Sequence, residues 1–282
     1  MVELLGGKDI VIDATVGAGG HAEALLRAGV RSVLGLDRDS EAVAVARDRL
    51  SQFGDRVHVA EASFSRLAAA AGEAGVESAG GVLFDLGVSS MHLDQAERGF
   101  SYRSTGALDM RMSAGPSGSE LTAADVVNTY PEERLANVIF EYGEERLSRR
   151  IARAIVRARE RAPIRTTDEL AAIVAGAVPR RRGGPHPARR TFQALRIEVN
   201  EELEELTASL PQAVSLLEAG GRVVVIAYHS LEDRIVKRFL LEEPGIRILT
   251  RKPVRPGEAE VATNPRARSA RLRAAERLAA AA

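Results

Sequence analysis

Short apolar, β-branched runs recur through the first part of the chain with helix-like segments between them: DIVIDA (residues 9–14), SVLGL (32–36), VHVA (57–60) and GVLFDL (81–86). A strand with one wet face alternates polar and apolar side chains, but the first and last of these runs do not. Strands of that kind are buried on both sides, and when helices separate them they form a parallel sheet with helices on both faces. Residues 21–28 read as the first of those helices, ended by Gly29. Ser40 is expected to cap the next, with Val43, Ala46 and Leu50 on one side, and residues 64–74 form the third.

The pattern breaks after Gly87. Residues 87–119 are rich in Gly, Ser and Asp, and the chain then reads as helical to about residue 210, with helices expected at 121–129, 131–140, 144–161, 167–177 and 191–208. Strand character returns in RVVVIAY (222–228), followed by a helix over 231–241 and a strand over 246–250. Residues 251–268 read as an ordered arm and 276–282 as a frayed tail. The expected fold is α/β, a Rossmann-like sheet interrupted by an all-helical insertion. Its expected divisions are 1–112, 113–212 and 213–282.

Composition removes several function classes. There is no cysteine, which excludes disulfide scaffolds, zinc–thiolate sites and cysteine nucleophiles. No apolar run approaches the ~20 residues that span a bilayer, and the first residues lack the pattern of a signal peptide. A cytoplasmic protein with no membrane partner is therefore expected. The 39 basic and 39 acidic residues balance, but unevenly along the chain. Residues 1–110 hold ten Lys and Arg against sixteen Asp and Glu, whereas residues 180–196 hold six arginines and no acid. Arg180, Arg181, Arg182, Arg189 and Arg190 form a basic loop suited to phosphate contacts; the alternative is a solvated basic surface.

The glycine cluster Gly17, Gly19, Gly20, followed by His21, lies where the first strand turns into the first helix. Glycines there let the backbone approach a ligand, and the helix start supplies amide donors. Asp37 ends the second strand, twenty residues after Gly17, where a carboxylate accepts hydrogen bonds from ribose hydroxyls. A tight turn without ligand, and a capping or solvated acid, are the plainer readings of these two features. Asp85 lies at the carboxyl edge of the fourth strand, before Gly87. An exocyclic amine conjugated to a base needs acceptors for its N–H groups if its lone pair is to attack, and Asp85 is placed to accept. His229, in YHSLEDR after the fifth strand, returns to the same edge and is the expected partner of Asp85. Against this, Ser230 and Asp233 fit a capping box, so His229 could simply begin a helix. Phe100, Tyr102, Met110 and Met112 either stack on a base or pin their loop to the core.

GAGGH, LDRD, DLGVSS, RGFSY, LDMRM, RTFQALRIEVNEEL, YHSLEDRIVK and NPRARSARLR, in this order over nearly the whole chain, closely resemble the bacterial 16S ribosomal RNA cytosine N4-methyltransferases, the RsmH or MraW family. The resemblance implies a class I methyltransferase domain with S-adenosylmethionine as donor and an inserted helical domain for RNA recognition. The implied substrate is a cytidine in the P-site region of the decoding centre, cytosine 1402, in 16S RNA of the small ribosomal subunit. The family's cofactor positions fall on Gly19, Gly20, His21, Asp37, Phe64, Asp85 and His92, the last where many members carry glutamine. No metal ligands are assigned, and monomer and homodimer both stay open. A nicotinamide-dependent oxidoreductase would use Gly17, Gly19 and Asp37 but leaves Asp85 and the arginine loop unexplained. An RNA-binding module with a degenerate cofactor site would use the arginines but not the intact glycine loop.

Overall fold

The computed structural model describes residues 1–113, 121–179, 184 and 186–279. In chain order it forms α1 (Val2–Leu5), β1 (Ile10–Asp13), α2 (Gly20–Arg27), β2 (Ser32–Asp37), α3 (Ser40–Leu50), β3 (Val57–Glu61), α4 (Leu67–Glu73) and β4 (Ala79–Asp85). There follow α5 (Ser90–Asp94), α6 (Ala123–Thr129), α7 (Glu132–Glu141), α8 (Ser148–Arg159), α9 (Thr167–Ala177) and α10 (Arg189–Asn200). The chain closes with α11 (Glu202–Leu216), β5 (Leu217–Ala227), α12 (Ser230–Glu242), β6 (Ile246–Ile248), α13 (Glu258–Thr263) and β7 (Arg271–Arg277). None of the described helices is long and apolar enough to cross a membrane.

Two compact units result, Met1–Gly87 with Leu203–Ala282, and Val88–Glu202. The first holds a seven-stranded sheet ordered β3-β2-β1-β4-β5-β7-β6. The run from β3 to β5 is parallel and β7 is antiparallel to both its neighbours. Val11, Val33, Leu83 and Val224 bury one face against α1, α2 and α3. Ile12, Leu34, Phe84 and Val225 bury the other against α4, α11 and α12. Neighbouring residues of one strand thus serve opposite cores, which is why these strands do not alternate. β1 pairs with β2 on one side and β4 on the other, so the chain reverses its direction of winding between β1 and β4. Ligands of open α/β sheets bind at such a switch point, beyond the strands' carboxyl ends.

The second unit is helical around its own core, in which Met110, Val126, Ile139, Ile151, Ile155, Leu170 and Leu195 are buried. Capping boxes at Thr122 with Asp125 and at Thr166 with Glu169 start α6 and α9.

Several expectations need correction. Asp39, not Ser40, caps α3, its carboxylate accepting from the Glu41 amide at 3.1 Å. A strand that the sequence did not suggest, β7, precedes the expected tail and takes in its first two residues, 276 and 277; Ala274 and Ala275 within it are fully buried. The helix expected over 191–208 is two. Asn200 turns inward to donate to the Met110 and Arg196 carbonyls and accept from the Met112 amide, and Glu201 takes a left-handed φ of 51°. The second helix then runs on to Leu216 through Pro211. The units also divide at 87/88 and 202/203 rather than at 112/113 and 212/213. Phe100, Leu108 and Met112 pack into the helical core, while Leu206, Leu210 and Ala213 pack under the sheet.

Candidate active site at the carboxyl edge of the sheet

Register sets the site. Asp13 of β1 lies beside Leu83 of β4, and the Ala14 amide donates to the Leu83 carbonyl at 2.9 Å. The chain leaves β1 through Thr15, whose hydroxyl accepts from the Asp85 amide at 2.7 Å and so ties the ends of the two strands together. The carboxylate of Asp85 is held on both oxygens. His21 Nε2 lies 3.0 Å from Oδ2, and the Tyr228 hydroxyl donates to Oδ1 at 3.0 Å. This hydrogen bond to Asp85 raises the His21 pKa above its ordinary 6.5, although partial burial opposes it. Burial, then the negative charge of Asp85 close by, pushes the Tyr228 hydroxyl far up, so it stays a donor at any working pH.

Asp13 is fully buried, and desolvation raises its pKa from 3.8 to about 7, with nearby His21 pulling it down. One of its oxygens accepts from the Thr15 amide at 3.2 Å; the other has no hydrogen-bond partner. Asp37 accepts from the Gly17 amide at 2.9 Å and from the Asp39 amide at 2.9 Å, which fixes the end of β2 against the glycine loop.

The loop's geometry separates packing from ligand approach. Gly17 and Gly19 have φ of 51° and 80°, values that disfavour any other residue. A Cβ on Gly19 would press to 3.2 Å from Leu50, so that glycine lets the loop sit on α3. A Cβ on Gly17 would meet nothing nearer than the Thr15 carbonyl oxygen at 3.9 Å, leaving room for a ligand. Phe64 stands edge-on to Phe84 with ring centroids 6.1 Å apart. Its turn is held from far along the chain: Glu205 of α11 accepts from the Ser65 amide and hydroxyl, and the Gln212 side chain bonds to Ser65 and Ala68. The acceptors Asp37 and Asp85, beside free loop space and an aromatic ring, fit a cationic ligand that carries ribose hydroxyls and a base.

The structure therefore groups His21, Asp37 and Asp85 at one switch point, with Thr15, Tyr228 and Asp13, which sequence reasoning did not single out. His229 does not join Asp85. It caps α12 in a box with Glu232, its Nδ1 accepting from the Glu232 amide at 3.5 Å. Its Nε2 lies 3.0 Å from Glu232 Oε1 without hydrogen-bond geometry. The box expected from Ser230 and Asp233 thus begins one residue earlier, and Asp233 pairs with Arg273 at 2.6 Å instead. His92 belongs to the helical unit. It is buried, accepts from the Ser89 amide at 3.3 Å and packs on Phe100. Phe100, Met110 and Met112 are core residues, so they pin their loop, whereas Tyr102 stacks on His186 at 4.8 Å. Arg189 and Arg190 are exposed, Arg190 lying 3.5 Å from Glu145; Arg180, Arg181 and Arg182 lie outside the described residues.

A family model described as the MraW methylase family matches residues 2–278. The chain belongs to the MraW methylase family. S-adenosylmethionine is that family's methyl donor. Two relatives of the chain, from Thermobifida fusca and Acidothermus cellulolyticus, are 52% and 50% identical to it, each over 95% of this chain and 86% and 87% of their own length. A third, from Gloeobacter violaceus, is 52% identical over 95% of this chain and 82% of its own. All three bear the name ribosomal RNA small subunit methyltransferase H. An rRNA methylase structure from Streptococcus thermophilus is similar over 99% of this chain and 92% of its own, at 12% identity and a TM-score of 0.46. Strand order and switch-point carboxylates make this MraW-family chain a class I methyltransferase in its fold.

Proposed function

We propose that this chain methylates the N4 amine of a cytidine in 16S ribosomal RNA, at the family's target cytosine 1402, with S-adenosylmethionine as donor. The observation that carries the reading is the Asp85 carboxylate, aimed by donors on both oxygens at the end of β4. When bound, S-adenosylmethionine supplies a methyl group on a positively charged sulfur. Gly17 and Gly20 would give it a close backbone, with Gly19 seating the loop on α3; Asp37 would accept from its ribose hydroxyls, and Phe64 would hold its adenine. Asp37 and Asp85 would favour its positive charge.

Asp85 accepts an N–H of the target amine, which frees the nitrogen lone pair for in-line attack, and positioning supplies much of the rate. The amine ends with one hydrogen replaced by methyl, so one proton must leave. Asp85, its side chain 26% exposed, is placed to take it and pass it to water, while His21, 3.0 Å away, holds the carboxylate in place. His229 acts indirectly, through the α12 cap that sets Tyr228, whose amide donates to Glu232 at 2.8 Å. His92 shapes the turn after β4 through its Ser89 cap. The helical unit and the arginines at 180–182, 189 and 190 contact RNA phosphates, and the target base leaves its stack to reach Asp85. Action on ribosomal RNA puts the chain in the cytoplasm.

Transfer of labelled methyl from S-adenosylmethionine to small subunits lacking the modification, with mapping of the labelled nucleotide, tests the reading. Label on cytosine N4 in the decoding region is expected. Label on another atom or base overturns the assignment, and binding of the donor without any label moves the substrate elsewhere.

A further inference from the structure

Helix α8 presents an arginine stripe that little among the described residues answers. Its buried side is Ser148, Ile151, Ala152 and Ile155. At 100° per residue, Arg149, Arg150, Arg153 and Arg157 gather on the opposite side, and all four are exposed. Arg146 precedes them in the turn before the helix and is exposed too. Arg159, on the inner side, donates instead to the Val127 carbonyl at 2.8 Å.

Two features of the helix oppose its own stability. Arg149, Arg153 and Arg157 are spaced four apart, so each step sets like charges together at a cost of ~0.2–0.5 kcal/mol. No acid lies in the first turn, where Arg149 and Arg150 face the positive end of the helix dipole. Among the described residues the acids around the stripe answer only Arg153. Glu132 of α7 lies 3.5 Å from Arg153, and Glu145 is turned to the Leu147 amide and to Arg190. Arg146, Arg149, Arg150 and Arg157 make no ion pair among the described residues. A solvated surface helix would normally intersperse acids at i+4.

We infer that the outer side of α8 is a docking surface for the phosphate backbone of RNA. The inference rests on the RNA-methyltransferase reading and extends it to residues away from the 180–190 loop. From Arg149 to Arg157 the stripe runs about 12 Å along the axis, enough to meet two or three successive phosphates of a strand. Arginine suits the task because its planar fork pairs with phosphate oxygens bidentately. None of these contacts reads a base, so the surface sets affinity and orientation, not the choice of cytidine.

The test replaces Arg149, Arg150 and Arg157 together by Gln, which keeps the helix and removes no ion pair. Affinity for a 16S RNA fragment containing the decoding region, and for the small subunit, is measured across a salt series beside the wild type. Binding on the order of tenfold weaker near physiological salt is expected, with the slope of log affinity against log salt flatter by about 0.7–0.9 per lost contact. The KM for RNA should rise, while affinity for S-adenosylmethionine and the thermal midpoint hold. A slope equal to wild type, in a wild type that binds and methylates RNA, overturns the stripe and leaves the function standing. Loss on the assembled subunit with unchanged affinity for the naked fragment points to a ribosomal protein and overturns it as well. If the wild-type enzyme neither binds nor methylates RNA, the functional reading falls and this inference with it.

Discussion

Asp85, the proposed acceptor of the target amine, is held in place before any substrate arrives. Two donors fix its plane, and they come from the connections that follow the neighbouring strands, His21 in the first turn of α2 after β1 and Tyr228 directly after β5. Asp85→Ala should lower turnover at least ~10²-fold, as loss of an acid–base group does, with the thermal midpoint near wild type. Near-normal turnover would remove Asp85 from the mechanism. Tyr228→Phe deletes one charge-assisted hydrogen bond, worth ~1.5–3 kcal/mol, so kcat should fall about tenfold to a hundredfold. Binding of S-adenosylmethionine, followed by calorimetry, should be unaffected; a change there would assign Tyr228 to the donor instead. Asp13 gives a pH signature. Its native pKa of about 7 against the ordinary 3.8 means the folded chain keeps a proton that the unfolded chain releases. Stability contributed by Asp13 is therefore full below 3.8 and declines as pH rises through about 7. His21, also raised, adds a decline of the same sign above its ordinary 6.5. Urea titrations of Asp13→Asn should show a flatter fall between those limits, and an unchanged fall would mean Asp13 is ionised when folded. Asp85 could be found in the sequence because a carboxylate after a buried strand has few structural uses. Tyr228 was hidden beside the more conspicuous His229, and Thr15 inside a motif read for its glycines.

Elements differ in how openly they are written. IVID and GVLF are legible because continuous branched side chains suit only a doubly covered strand. RLRAAER is not: its two central alanines favour a helix and arginines stand on either side, yet β5 and β6 together bury both alanines. Tertiary pairing overrides local preference there. The break between α10 and α11 was equally hidden, since the left-handed residue is Glu201 rather than glycine or asparagine. Its cause is Asn200, whose partners lie about ninety residues back in the Met110–Met112 turn. Asn200→Ala leaves a buried amide and carbonyl unmatched and should destabilise the protein by about 2–4 kcal/mol in urea unfolding. A loss below ~0.5 kcal/mol would show that the turn is held by other means.

At the scale of the molecule, zero net charge conceals a division of labour between an acidic ligand edge and basic surfaces. Replacing Arg180, Arg181 and Arg182 by Ala should weaken RNA binding and flatten its salt dependence, measured as for α8. An unchanged slope would return that run to solvent. Order along the chain adds a consequence of its own. β7 fills the place between β5 and β6 but is the last of the sheet's strands to be synthesised. During translation β5 keeps an open hydrogen-bonding edge, and β6 has no neighbour, until residues 271–277 have emerged. A nascent or prematurely terminated chain would thus expose a ready template for another strand. Residues 271–277 work as a seal, and a nonsense mutation just before Arg271 should yield aggregates in place of a shortened enzyme.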